Sequence, residues 1–136
     1  MTIYALSSGS GIAGIAVIRV SGKNTTKVIK EITGEGLPKP RIATLRKFCK
    51  NGSKKMIDEG VILWFPGPNS YTGEDLAEFH IHGSRAVISA MHSAISKVKN
   101  CRLAEPGEFT KRAFQNGRIN LLKAESIADL ISSETE

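Results

Sequence analysis

The sequence has few of the features that announce a chemistry by themselves. Its 136 residues contain two cysteines, Cys49 and Cys101, far apart and outside any metal-ligand spacing. They read as free thiols of a reducing compartment, not as a disulfide or a zinc site. No Gly-x-x-x-x-Gly-Lys-Ser/Thr occurs, so the chain carries no P-loop of its own. Ser/His/Asp catalysis has no local signature. No apolar run approaches the roughly 20 residues of a membrane span. The opening MTIYALSSGSG lacks the basic start and apolar core of a signal peptide. Together these absences make a cytoplasmic protein the expectation.

What is present is an ordinary globular balance, with 40% hydrophobic and 24% charged residues, enough for one domain with a real core. The net charge of +6 favours polyanionic partners only weakly. It is concentrated: Lys39, Arg41, Arg46, Lys47, Lys50, Lys54 and Lys55 fall in one acid-free stretch around Asn51-Gly52. Two readings stand, a lysine-protected edge hairpin and a phosphate-contacting patch.

Hydrophobic periodicity predicts strands over 2–8, 15–20, 42–48, 56–65, 76–82 and 102–104. It predicts helices over 23–32, 84–98 and 105–114, with Gly34 stopping the first and Ser84 capping the second. The arm Val61-Ile-Leu-Trp-Phe is apolar on both faces and belongs inside a sheet. A last helix, capped by Asn120 and carrying Leu121, Ala124, Ile127, Ala128 and Ile131, runs to Glu136. Its apolar stripe has no downstream partner, so it is expected to pack on the domain's own sheet or on a second copy. Gly9-Ser-Gly11-Ile-Ala-Gly14 formally matches Gly-x-Gly-x-x-Gly. The β-branched run that follows is strand-like, where a dinucleotide site needs a helix N-terminus.

The most informative stretch is Asn69 to Gly83, NSYTGEDLAEFHIHG, in which turn residues lead into an alternating strand. Ala77, Phe79 and Ile81 form a core face; Leu76, Glu78, His80 and His82 share the other. A half-buried strand gains nothing from an unpaired carboxylate, so Glu78 is a candidate ligand contact, against the alternative of a solvated sheet face. His80 and His82, two apart, could share a metal with Glu78, but the pattern is short and no metal is assigned. Arg19 closes the apolar row Ile15, Val17 and calls for a carboxylate or an anionic ligand, unless it snorkels at the strand end. A strand Glu facing a strand Arg suits a flat polar heterocycle, because a carboxylate accepts two parallel N–H bonds from an amino-pyrimidine edge.

Four longer segments carry a family resemblance. These are Phe65-Pro-Gly-Pro-Asn-Ser-Tyr-Thr-Gly-Glu-Asp, Glu78 to Gly83, Pro106-Gly-Glu-Phe-Thr-Lys-Arg-Ala-Phe-Gln-Asn-Gly and Ala124-Glu-Ser-Ile-Ala-Asp-Leu-Ile. With Ile12 to Gly22, they resemble the N-terminal part of tRNA-modification GTPases of the MnmE/TrmE type. The resemblance implies an α/β (α+β) fold, a mixed sheet with helices packed on it, similar to the tetrahydrofolate-binding domain of aminomethyltransferases. It implies a folate-binding and dimerisation domain over 1–118 and the first helix of a helical domain over 119–136. It further implies a homodimer that binds 5-formyltetrahydrofolate or another tetrahydrofolate one-carbon derivative near the dimer interface. The full-length family uses GTP, magnesium and potassium in a separate domain and modifies the wobble uridine of tRNA at carbon 5 with a flavin-dependent partner protein.

Matched residue by residue, the folate-contacting positions are Arg19, Glu78 and Arg118, the last from the resemblance alone. Ser84 stands where many members have a second glycine, and the loop after Ser8 lacks their Pro and Arg. The family's GTPase motifs do not occur, so GTP hydrolysis by this chain is not expected, and whether it catalyses anything is left open. Two rivals remain, a stand-alone folate-dependent one-carbon transferase and a basic RNA-binding adaptor without a small ligand.

Overall fold

The computed structural model describes residues 1–7 and 14–120; the loop after Ser8 and the expected last helix fall outside them. Among the described residues, six strands form one mixed sheet: β1 Thr2–Leu6, β2 Ile15–Ser21, β3 Thr44–Cys49, β4 Met56–Phe65, β5 Leu76–His82 and β6 Cys101–Leu103. Their order is β3-β4-β5-β2-β1-β6. Neighbours run antiparallel except β6, which joins β1 in parallel. Three helices accompany them, α1 Thr25–Thr33, α2 Arg85–Ser96 and α3 Glu108–Gln115.

Alternation along the two central strands decides what the sheet buries. Ala16, Ile18 and Val20 of β2 and Ala77, Phe79 and Ile81 of β5 are all buried. They form one core with Val28, Ile29 and Ile32 of α1 and Met91, Ala94 and Ile95 of α2. Each of the larger side chains among them, the Val, Ile, Phe and Met, contributes roughly 1.5–3 kcal/mol by leaving water. Both helices therefore lie on the same face of the sheet, and α1 also touches α2. Arg19, Glu78 and His80 point to the other face.

Helix ends follow their local chemistry. The N–H of Gly34, at φ 68, bonds to the Lys30 carbonyl and ends α1, because glycine takes the left-handed cap without a Cβ penalty. Ser84 accepts a bond from the Val87 amide and caps α2, as its sequence position predicts. The start of α1 moves from 23 to Thr25, since the Asn24 side chain bonds the Lys99 carbonyl instead of capping the helix. The start of α3 moves from 105 to Glu108, because Gly107 takes a positive φ of 76.

The basic stretch is indeed a hairpin. β3 and β4 pair around Asn51-Gly52, closed by the Lys50 amide on the Lys55 carbonyl at 3.0 Å, and β3 is the sheet's edge. Lys47, Lys50, Lys54 and Lys55 are exposed, as the edge-protection reading expects. Arg46 instead meets Glu35 at 3.2 Å. β4 lies second from this edge, paired on both sides.

Gly60 of β4 shows how tightly these strands meet: a Cβ there would lie 2.0 Å from the His80 carbonyl oxygen. Main chain cannot yield as a side-chain tip can, so Gly60→Ala should lower stability by about 2–3 kcal/mol. The denaturation midpoint checks this, and a wild-type midpoint would show that β4 and β5 can separate at no cost.

Candidate functional site

β5 and β2 are the central pair of the sheet, and their register sets Arg19 directly opposite Glu78. The Arg19 Nη2 donates to Glu78 Oε2 at 3.2 Å, with the side chains 27% and 18% exposed. His80 Nε2 lies 3.2 Å from Glu78 Oε1. The Arg19 guanidinium also lies over two rings, Tyr71 at 5.4 Å and Phe109 at 5.9 Å, a placement a planar cation favours. Its Nε is buried without a hydrogen-bond partner among the described residues. Arg19 is thus held by β5 and by aromatic rings, two residues inside the strand end where snorkelling had been the alternative.

Glu78 forms part of the lining of a cleft of about 370 Å³ with Phe65, Leu76, Tyr71, Asn69, Ser70, Arg41, Arg118 and Ile119. Arg19 is not among the lining residues; it stands beside Glu78. Among the described residues each carboxylate oxygen of Glu78 has one hydrogen-bond partner, and a carboxylate offers about four acceptor positions. Two remain for a ligand. Phe65 and Tyr71 supply flat apolar walls, and Arg118 donates its Nε to the Ser70 carbonyl at 3.1 Å. The structure thereby brings Glu78 and Arg118 to one cleft, with Arg19 one hydrogen bond away.

The 66–75 loop that forms one wall is fixed at many points. The Gly67 amide bonds Asp75 Oδ1 at 2.9 Å, and buried Thr72 meets Ser21 Oγ at 2.7 Å. Asn116, at the end of α3, donates to the Thr72 carbonyl at 2.8 Å. Gly73 has φ 80, and a Cβ on it would come within 2.9 Å of Asn116, so glycine lets α3 approach the loop. The Tyr71 hydroxyl meets Thr110 Oγ1 of α3 at 3.0 Å.

Charge fixes α3 in turn. Glu108 takes two bonds from Arg102, at 2.8 and 2.6 Å, and one from Arg112 at 3.3 Å. Arg112 also reaches Glu74 at 3.0 Å. The Arg102 hydrogen bonds lead in pulling the Glu108 carboxyl down to about 2, assisted by the Glu105 amide and opposed by partial burial.

The two histidines of the motif strand do not converge. His80 turns to Glu78, while His82 Nδ1 meets Asp58 Oδ1 at 2.8 Å with its ring largely exposed. Burial pushes the Asp58 carboxyl up, but bonds from the His82 amide and ring bring it below the usual range. Among the described residues no three His, Cys, Asp or Glu groups are arranged to hold a metal. Sequence reasoning missed the roles of Asp58, Tyr71 and Arg41 at this site. Tyr71 lay inside a recognised motif and Arg41 inside the basic stretch, but nothing local marked Asp58.

Strand order and helices define a domain of the mixed α/β class with a surface cleft beside Glu78. Comparison with known proteins then specifies it: the family model for the GTP-binding protein TrmE N-terminus matches residues 2–118. The chain belongs to that family of tRNA-modification GTPases and corresponds to its N-terminal domain. It is 74% identical over 136 residues to the tRNA modification GTPase MnmE of Pelagibacter ubique, covering 100% of this chain and 31% of that protein. It is 53% identical over 135 residues to the MnmE of Rhodopseudomonas palustris, covering 99% and 30%. With the mitochondrial 5-taurinomethyluridine-[tRNA] synthase subunit GTPB3 of Danio rerio it shares 51% over 135 residues, covering 99% and 27%. The chain therefore spans less than a third of the length of these relatives.

The charge network under α3 yields a pH prediction. A carboxyl held at about 2, against an ordinary value of 4.5, contributes stability that is fully present above the ordinary value. That contribution disappears as pH falls through about 2, by linkage. Glu108→Gln should cost about 1–2 kcal/mol at pH 7, after allowance for solvent screening, and should flatten the pH dependence of stability below pH 4.5. Urea unfolding from pH 2 to 7 checks it, and parallel curves for the two proteins would refute the role given to Glu108.

Proposed function

We propose that this domain binds a tetrahydrofolate one-carbon derivative, with 5-formyltetrahydrofolate as the reference ligand, and that Glu78 anchors its pterin ring. One observation carries the reading: a carboxylate with two open acceptor positions forms part of a cleft whose walls include Phe65 and Tyr71. The pterin's amino group and ring N–H present two parallel donors to such a carboxylate. Arg19 orients Glu78 from β2, and Arg118 meets polar groups further along the ligand. The mixed sheet with α1 and α2 on one face is in keeping with a likeness to aminomethyltransferase folate domains.

In the whole protein this module serves a GTPase that modifies the wobble uridine of tRNA at carbon 5 together with a flavin-dependent partner. GTP, magnesium and potassium act in another domain. The names of the relatives, among them a 5-taurinomethyluridine-[tRNA] synthase subunit, support that substrate class. No described helix is long and apolar enough to cross a membrane, and a cytoplasmic setting for this chain remains part of the proposal.

Calorimetry with 5-formyltetrahydrofolate tests the central statement. Glu78→Gln keeps the shape but sets an amide donor against one pterin N–H, and binding should weaken by roughly 2–4 kcal/mol. Unchanged affinity would sink the assignment of Glu78.

The domain also acts as a two-fold dimer in this reading. On the sheet face turned away from α1 and α2, Ile15 and Leu45 are 61% and 66% exposed, apolar surface that a second copy would cover. If the folate site is completed at that contact, ligand and dimer strengthen each other by linkage. Sedimentation with and without 5-formyltetrahydrofolate should show a tighter dimer with ligand. A monomer that binds the ligand at full strength would separate the site from the interface.

A further inference from the structure

Arg41 belongs by sequence to the basic hairpin, but the structure takes it away from that stretch and sets it at the cleft. Its backbone adopts φ 65, a left-handed conformation disfavoured for a residue with a Cβ. The turn is held by the Arg41 amide on the Trp64 carbonyl at 2.8 Å and the Ile42 amide on the Lys39 carbonyl at 3.3 Å. From there the guanidinium lies 5.5 Å from the centre of the Phe65 ring and donates to the Asn69 carbonyl. Arg118 donates to the carbonyl of the next residue, Ser70. Two guanidinium groups thus grip adjacent carbonyls of one loop, and both line the Glu78 cleft.

Their partners set them apart from other arginines of the molecule. Arg19, Arg46, Arg102 and Arg112 each meet a carboxylate. Among the described residues, Arg41 and Arg118 meet carbonyl oxygens only. A carbonyl satisfies one donor and leaves the charge uncompensated, and a guanidinium has five donors in all. The cleft's own carboxylate, Glu78, is already matched by Arg19. The cleft therefore carries acid at Glu78 and excess positive charge at Arg41 and Arg118, with aromatic surface in the lining. That is the complement of a heterocycle with a carboxylated tail.

We propose that Arg41 and Arg118 form a two-arginine subsite for the tail carboxylates of the ligand, so that the cleft prefers folates bearing glutamate, and more so several glutamates. The inference rests on the folate reading above and adds to it Arg41 and the tail. Bidentate geometry is the reason for arginine at both places, since a planar fork matches a carboxylate.

Three ligands separate this subsite from the pterin anchor: 5-formyltetrahydropteroate, which lacks glutamate, 5-formyltetrahydrofolate, and its triglutamate. Each is titrated into the 136-residue chain and into Arg41→Gln and Arg41→Gly, the glycine variant being suited to the left-handed turn. Both variants should bind the two glutamate ligands about tenfold more weakly, as expected for loss of a rim charge pair, and bind the pteroate as the parent does. Equal weakening of all three ligands would make Arg41 a support of the loop and overturn the subsite, as would no change at all. A parent chain that binds none of the three refutes the folate reading instead. The subsite is then decided by glutarate alone: shifts of the Arg41 and Arg118 side-chain N–H resonances retain it, and their absence overturns it.

Discussion

The cross-strand pair of Arg19 and Glu78 is the constraint on which the site depends. A carboxylate at 18% exposure in the middle of a sheet is costly unless a cation meets it, and the cation comes from the neighbouring strand through register alone. A slip of β2 by one residue against β5 would turn Arg19 into the core, away from Glu78, and bring Ile18 out. The helix-side residues therefore fix the site as firmly as its own members do. The hydrophobic core selects the register, and the register delivers the pair.

The remaining walls hang on the same sheet through polar contacts. Ser21, two residues beyond Arg19, bonds both Thr72 and Glu74 of the 66–75 loop. Glu74 passes the connection to Arg112, Arg112 to Glu108, and Glu108 to Arg102. A chain of alternating charges thus links β2, the loop, α3 and β6. It sets Phe109 and Tyr71 against the Arg19 guanidinium. Displacing α3 would take Phe109 and its hold on Tyr71 from the Arg19 guanidinium.

Much of this was legible in the sequence, for a definite reason. Alternation over 15–20 and 76–82 assigned Arg19 and Glu78 to the same kind of face, and helical spacing located Val28, Ile32, Met91 and Ile95 in the core. Gly34 and Ser84 marked helix ends by local backbone chemistry. What local patterns could not carry was pairing between distant segments. The Asp58 contact with His82 spans 24 positions, and that of Arg41 with Asn69 spans 28. The sheet order places β5 beside β2, and no periodicity encodes that adjacency. Arg41 was read with the lysines around it because charge runs are visible in sequence and a left-handed turn at a non-glycine residue is not. The helix expected from Asn120 onward falls largely outside the described residues, and the packing expected for its stripe rests on sequence alone.

The central claim is that the Glu78 carboxylate is organised for a ligand and not only for Arg19. A cycle over protein and ligand tests it most directly. The parent chain and Glu78→Gln are each titrated with 5-formyltetrahydrofolate and with its 2-desamino analogue, which lacks one of the two pterin donors. If the carboxylate receives both donors, the parent should prefer the natural ligand by about tenfold or more, and Glu78→Gln should lose most of that preference. If both proteins discriminate equally between the two ligands, Glu78 does not meet the pterin edge, and the pair with Arg19 is a structural feature of the sheet.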